Sequence, residues 1–404
     1  MPTLKRRLTL PLFTFYGLGS ILGAGIYALV GKVAGEAGMF TPISFLIAAS
    51  LAALTGFSYA ELSSRYPKSG GEAIYVSKAF GIKQFSTLIG LLVVLSAIVS
   101  SSALMNAFFG YLEIFIPAQR DLTIIIVSFV AAGIAIWGIK ESAIAATILT
   151  LIEIGGLFLI MWVGRDALLS FPSQISSFVP PSESAIWVGI LSGAFIAFYA
   201  SIGFEDMANV AEEVKDPHRN LPLGIMLAIV GSTLLYCIVS IVAVLSLPPE
   251  VLSSTDAPLA MVYENATGSK PVIITFIGLF AVANGILVQI VMGSRILYGL
   301  SKKDMLPDAL SKVNHKTHTP IVATGLVTLI ILVLALWFDL SRLAQITSLI
   351  VLVIFAIVNL ACMRVKLKDP HPKDVQTFPF VIPFLGFCSI VLFVTYRIWI
   401  YFGG

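Results

Sequence analysis

The chain has 404 residues, 58% of them hydrophobic and only 12% charged, about half the charge density of a water-soluble domain. A mean hydropathy of +0.97 excludes a soluble enzyme, and a net charge of +3 carried by scattered Lys and Arg gives no footprint for a nucleic-acid partner. A membrane-crossing helix takes about 20 apolar residues, so the composition can furnish roughly eleven spans.

Apolar stretches bounded by charge, Gly and Pro place those spans at 12–33, 41–64, 84–116, 121–139, 141–164, 185–212, 221–247, 271–299, 319–338, 342–363 and 382–402. The short connections leave no room for a separate soluble domain, so the expectation is one all-α integral membrane domain over residues 1–404. With the N-terminus cytoplasmic, the inner segments collect most of the basic residues, including Lys5, Arg6, Arg7, Lys140, Lys302, Lys303, Lys316, Lys366, Lys368 and Lys373. Only Lys32, Arg120, Arg165, Lys270, Arg342 and Arg397 fall outside. This asymmetry predicts a multi-pass protein of the cell membrane with its N-terminus inside. Cys237, Cys362 and Cys388 all sit in apolar runs and predict no disulfide framework.

The first span carries Gly17, Gly19, Gly23 and Gly25 at its centre. Each glycine costs a helix interior about 1 kcal/mol relative to Ala, so the segment is poised to unwind. Gly19 and Gly23 also read as a small-residue packing motif, but the Gly23-Ala24-Gly25 cluster exceeds what one packing face requires. The sixth span is interrupted in turn by Gly203, Glu205 and Asp206 within an apolar run. Interrupted helices at corresponding positions of two oppositely oriented halves are the signature of an inverted-repeat secondary transporter, with cargo held at the breaks.

Four further motifs appear in order: Gly23-Ala24-Gly25-Ile26-Tyr27; Tyr59-Ala60-Glu61 running to Tyr66-Pro67-Lys68-Ser69-Gly70-Gly71-Glu72; Ile202-Gly203-Phe204-Glu205 running to Arg219 and Pro222; and Ser294-Arg295 running to Pro307. In these the sequence resembles the amino acid–polyamine–organocation (APC) superfamily of permeases. The resemblance implies a five-plus-five inverted repeat similar to the LeuT-like fold, with helices 1 and 6 broken, although the apolar runs give about eleven transmembrane helices where the superfamily usually has twelve. Repeat one would run over about 10–165, repeat two over about 185–365, and a peripheral last helix over about 382–402. It also implies gates alternating around a midplane amino acid site.

A zwitterion entering such a cavity must have both charges paired. Unwound backbone at Gly23, Ala24 and Gly25, leading into a helix N-terminus, offers N–H groups and a positive dipole end to the carboxylate. Carbonyls near Ile21, Leu22, Tyr199 and Ser201 can take the ammonium. The superfamily usually has serine where Ala24 stands, so one side-chain donor is missing. The resemblance places Tyr199 as an aromatic lid and turns Ser96, Ala97, Ser101 and Leu104 of the third span toward the cargo, although serines in membrane helices often bond only their own helix. Asn284 and Gln289 are polar interruptions of the eighth span, and Gln289 falls where a substrate-facing side chain is implied, an interhelical hydrogen bond being the alternative.

Glu153, in the fifth span, falls where the proton-coupled branch of the superfamily has a lysine. A carboxyl there can cycle its proton, pair with a sodium ion or the side-chain ammonium of a cationic cargo, or remain protonated as a structural group. A sodium site is poorly supplied, since Ser294 is the sole nearby hydroxyl of the eighth span. Glu205 is implied to organise the gate or sense protonation, with Asp206 structural, and Glu61, Glu72, Glu212, Glu213 and Arg219 to form an inner network of ion pairs. The four histidines, His218, His315, His318 and His371, all fall in inner loops, and no metal or catalytic motif appears. The expectation is a proton-coupled secondary transporter of neutral α-amino acids in a lipid bilayer, with no cofactor, no metal and no enzymatic activity. The alternatives are an exchanger of cationic amino acids or polyamines and, remotely, a non-transporting membrane sensor.

Overall fold

The computed structural model describes residues 6, 8–68, 71–137, 143–302, 305–315, 317, 319–370, 372 and 375–403. Lys5, Arg7, Ser69, Gly70, Lys140, Lys303, Lys316, His318, His371 and Lys373 lie outside the described residues. The first predicted span is two helices, α1 (Leu10–Leu22) and α2 (Ala24–Ala37), followed by α3 (Thr41–Arg65), a short α4 (Gly71–Phe80), α5 (Lys83–Glu113) and α6 (Arg120–Trp137). α7 (Ala143–Val163) continues after a bend of 64° into α8 (Arg165–Gln174). The sixth span is α9 (Ser184–Ala200) followed by a 3-10 helix over Phe204–Glu213. Then come α10 (Pro217–Ser246), the short α11 (Pro249–Ser253) and α12 (Pro258–Thr267), α13 (Val272–Ser301), α14 (Ile321–Trp337), α15 (Leu340–Lys368) and α16 (Val381–Gly403).

Among the described residues, eight stretches are long and apolar enough to cross a bilayer unaided, and the bent α7–α8 pair makes a ninth. α1 and α14 are shorter apolar helices. α1 is completed as a span by α2 across the break at Gly23. The helices obey local rules where they start: Pro stands in the first turn of α1, α3, α10 and α12, where its missing N–H costs nothing, and Asp339 caps α15 by accepting the Arg342 N–H at 2.8 Å.

α3 lies against α10, and α5 against α13; α1 packs on α10 as α9 packs on α3. α5 is buried along most of its length, whereas Phe129, Trp137, Trp162 and Leu392 expose large apolar faces on α6, α7 and α16. In a bilayer such faces meet lipid, which supplies the solvent that water cannot. α16 sits against α15 and α3, and Arg397 reaches from it to the Ser192 hydroxyl at 2.9 Å and Gln345 Oε1 at 3.1 Å.

Candidate functional site

The two breaks meet at glycines. Gly203 adopts φ 128°, a conformation that L side chains rarely take. A Cβ added there would collide with the Ser20 carbonyl oxygen on α1. A Cβ on Gly25 would lie 2.7 Å from the Ala200 Cα on α9. Backbone therefore touches backbone where the broken spans cross, and both contacts require the absence of a side chain. Beyond Gly203 the chain runs as ten residues of 3-10 helix, a length that marks strain or a hinge because the hydrogen-bond geometry is poorer than in an α-helix. Glu205 Oε2 accepts the Gly203 N–H at 2.8 Å, so its carboxylate satisfies a donor that the break leaves free.

A cavity of about 870 Å³ adjoins both breaks. Of the sequence-predicted residues, Ile21, Gly23, Gly25, Ser96, Leu104, Glu153, Tyr199, Glu205, Asn284 and Gln289 line it. Leu22, Ala97, Ser101 and Ser201 are buried but lie outside its lining. Ala24 supplies the first backbone unit of α2; its side chain lies outside the described set. The serine that meets the Tyr199 hydroxyl is Ser100, Oγ to Oη 2.9 Å, rather than Ser101, one position and about 100° further round α5. Ser96 bonds the Val93 carbonyl of its own helix at 2.8 Å while lining the cavity.

Two of the carbonyls expected to take an ammonium already accept a hydrogen bond within the protein. The Tyr236 hydroxyl lies 2.6 Å from the Ile21 carbonyl oxygen and 2.9 Å from that of Ala200, fastening the C-terminal ends of α1 and α9 to α10. The Tyr199 carbonyl already accepts the Ile202 N–H at 3.3 Å. Tyr236 and Ser100 carried no motif in the sequence; only the packing of α10 and α5 on the breaks identifies them.

The cavity extends to the face where α1 begins, since Leu8, Asn209, Glu213 and Arg295 belong to its lining and Asn209 and Arg295 are exposed. On the opposite side it is closed. Tyr27, Leu29, Val30 and Val33 of α2 have no exposure, Gly31 packs on the Leu252 carbonyl, and Lys32 Nζ pairs with Asp256 at 2.8 Å and bonds the Ser253 carbonyl at 2.9 Å. At the open face Leu8 pairs with Glu213 and Lys215 through backbone hydrogen bonds of 2.9 Å, so α1 and the 3-10 helix are joined at their outer ends.

The inner charge network differs from expectation. Glu61, 1% exposed, is held by Arg65 at 2.8 Å and Lys366 at 2.7 Å and accepts the Phe378 N–H at 2.9 Å, linking α3, α15 and the segment before α16. Glu72 accepts the Tyr59 hydroxyl at 2.8 Å instead of an ion pair. Burial pushes its carboxyl above the usual carboxylate range, and the hydrogen bonds it accepts offset part of that rise. Arg219 is exposed.

The sequence pattern described as "Amino acid permease" matches residues 8–402. The chain is 31% identical over 398 residues to "Cationic amino acid transporter 2, vacuolar" of Arabidopsis thaliana, covering 93% of this chain and 62% of that protein. It is 27% identical to "Branched-chain amino acid permease BcaP" of Bacillus subtilis, covering 99% and 92%, and 28% identical to the "Methylthioribose transporter" of the same organism, covering 94% and 85%. The chain thus spans a little under two thirds of the Arabidopsis transporter.

Proposed function

We propose that this chain, which belongs to the amino acid permease family of the APC superfamily, carries α-amino acids across a membrane by alternating access. The observation that carries the reading is the pair of helix breaks, touching backbone to backbone beside one cavity that reaches a single face. The basic inner segments put that face in the cytoplasm, so the structure corresponds to an inward-facing state. The uncapped N-terminus of α2, with Gly23 and Gly25 in the cavity wall, receives the cargo carboxylate through free N–H groups and the positive helix end.

Val93, Leu104, Val288 and Phe355 give the cavity an apolar wall suited to a neutral side chain. A second reading, a cationic side chain, is favoured by the acids Glu72, Glu153, Glu205, Asp206 and Glu213 in the same lining against a single Arg295. Glu153 is the group that exchanges a proton with the gradient in the coupled cycle.

The test is counterflow of labelled alanine in proteoliposomes containing the purified chain, with unlabelled leucine, lysine and putrescine as competitors. Competition by leucine supports a neutral cargo, and competition by lysine or putrescine alone removes it. In the Glu153→Gln variant, concentrative uptake driven by a pH gradient is expected to disappear while exchange persists. Uptake with unchanged pH dependence would exclude Glu153 from coupling.

A further inference from the structure

Four backbone acceptors at the ends of α1 and α9 already take a hydrogen bond. The Ile21 and Ala200 carbonyls share the Tyr236 hydroxyl, the Tyr199 carbonyl takes the Ile202 N–H, and the Phe198 carbonyl takes the Ser201 N–H at 2.9 Å. What stays without a partner is a side chain. Glu153 is 4% exposed and lines the cavity, and its carboxyl makes no hydrogen bond or ion pair with any described residue. Its own backbone is fixed, since its carbonyl accepts the Tyr27 hydroxyl at 2.5 Å.

The location follows from the packing of α7 on α1. A Cβ on Gly19 would collide with Thr150 Oγ1, which sets these two positions side by side. α1 and α7 run in the same direction, so one turn further along each brings Glu153 beside Gly23. At Gly23 an added Cβ meets nothing nearer than the Gly19 carbonyl oxygen at 3.7 Å, so the break is open on its cavity side. A second buried acceptor without a partner, Gln289 Oε1, lies in the wall formed by α13. The ionisable groups facing Glu153 are the hydroxyls of Tyr27 and Tyr236, and both donate elsewhere. The one basic residue of the cavity lining, Arg295, sits at its exposed rim.

A buried carboxylate without a cation is among the most costly arrangements a protein can hold, and breaking such a pair leaves the remaining charge uncompensated. Such a carboxyl either keeps its proton or gives it up to a cation that arrives with the cargo. We propose that the Glu153 carboxylate is the subsite for the cargo's ammonium group, replacing the break carbonyls that Tyr236 occupies. This rests on the reading of the cavity as an amino acid site. The ligand chemistry is a primary ammonium, which carries three N–H donors and a full charge. Its source is either the α-ammonium of any amino acid or the side-chain ammonium of a diamino acid or diamine.

The experiment measures counterflow KM for labelled alanine, lysine and putrescine with the full chain in proteoliposomes, comparing wild type, Glu153→Gln and Glu153→Asp. The glutamine variant is expected to raise KM by about tenfold or more, as befits loss of a charge-assisted hydrogen bond, with the maximal rate retained and aspartate partly restoring affinity. An equal rise for alanine and lysine identifies the α-ammonium. A rise confined to lysine and putrescine identifies the side-chain ammonium. Unchanged KM for all three overturns the proposal. A second measurement does not need the variant to fold: carbodiimide labelling of Glu153 in the wild type is slowed by lysine if the subsite is real, and proceeds at the same rate if it is not. Wild type without counterflow would overturn the transport reading alone, and the labelling result would then decide the subsite.

Discussion

Glu72 illustrates how much one residue's role depends on what folds over it. It stands in the first turn of α4, is 6% exposed, and its partner is the Tyr59 hydroxyl on α3 rather than a cation. Because burial raises its pKa in the folded protein, the folded state holds that proton more tightly than the unfolded chain. The stability this contributes is present in acid and is lost as pH rises through the raised value. Glu72→Gln should therefore flatten the fall in unfolding temperature as pH rises above the usual carboxylate range, as measured by a thermal melt in detergent; an identical fall in the variant would contradict the assignment. Ser100 makes the complementary point. The sequence marks a serine-rich stretch over Ser100, Ser101 and Ser102, but which hydroxyl meets Tyr199 depends on the rotation of α5. An apolar helix with no polar face carries no record of its rotation.

Among the elements, the broken spans were legible because glycine and buried charge are costly inside a membrane helix and persist only where something requires them. Their relation to the rest was not legible. α10 reads as a plain apolar span, yet its Tyr236, 2% exposed, ties the last turns of α1 and α9 together. Removing that hydroxyl leaves two buried carbonyls without their donor, an effect of about 1–3 kcal/mol. Tyr236→Phe is expected to lower the unfolding temperature and to loosen both half-helices, seen as faster amide exchange at residues 18–22 and 198–203. Faster exchange in only one of the two segments would show that the tyrosine does not join them. The span over 185–212 also changes helix type at Gly203, because the φ of 128° and the Glu205 carboxylate on the Gly203 N–H reset the register of the residues that follow.

For the molecule as a whole, closure of the cavity on one face and its opening on the other are, on the proposed alternating-access reading, a single state of a two-state device. The closed face is held by apolar burial of α2 and by the Lys32–Asp256 pair, whose side chains are 17% and 30% exposed. A pair at that exposure contributes about 0.2–1 kcal/mol, small against folding but enough to shift a balance between gate positions by a factor of up to about five. Lys32→Asp should raise the access of a thiol reagent from the α2 side to a cysteine at Ala281, and adding Asp256→Lys should restore the wild-type rate. Restoration failing in the double variant would mean that the pair does not latch the gate. By itself the sequence determined the membrane-spanning class, the run of spans and the two interruptions, because transfer of apolar residues to lipid and the cost of glycine act locally along the chain. Which carbonyls meet the Tyr236 hydroxyl, which serine meets Tyr199, which face is open and why Glu153 is left without a partner were decided only by tertiary packing. Those facts depend on the rotation and contact of helices that are distant in sequence, and uniformly apolar segments do not encode them one at a time.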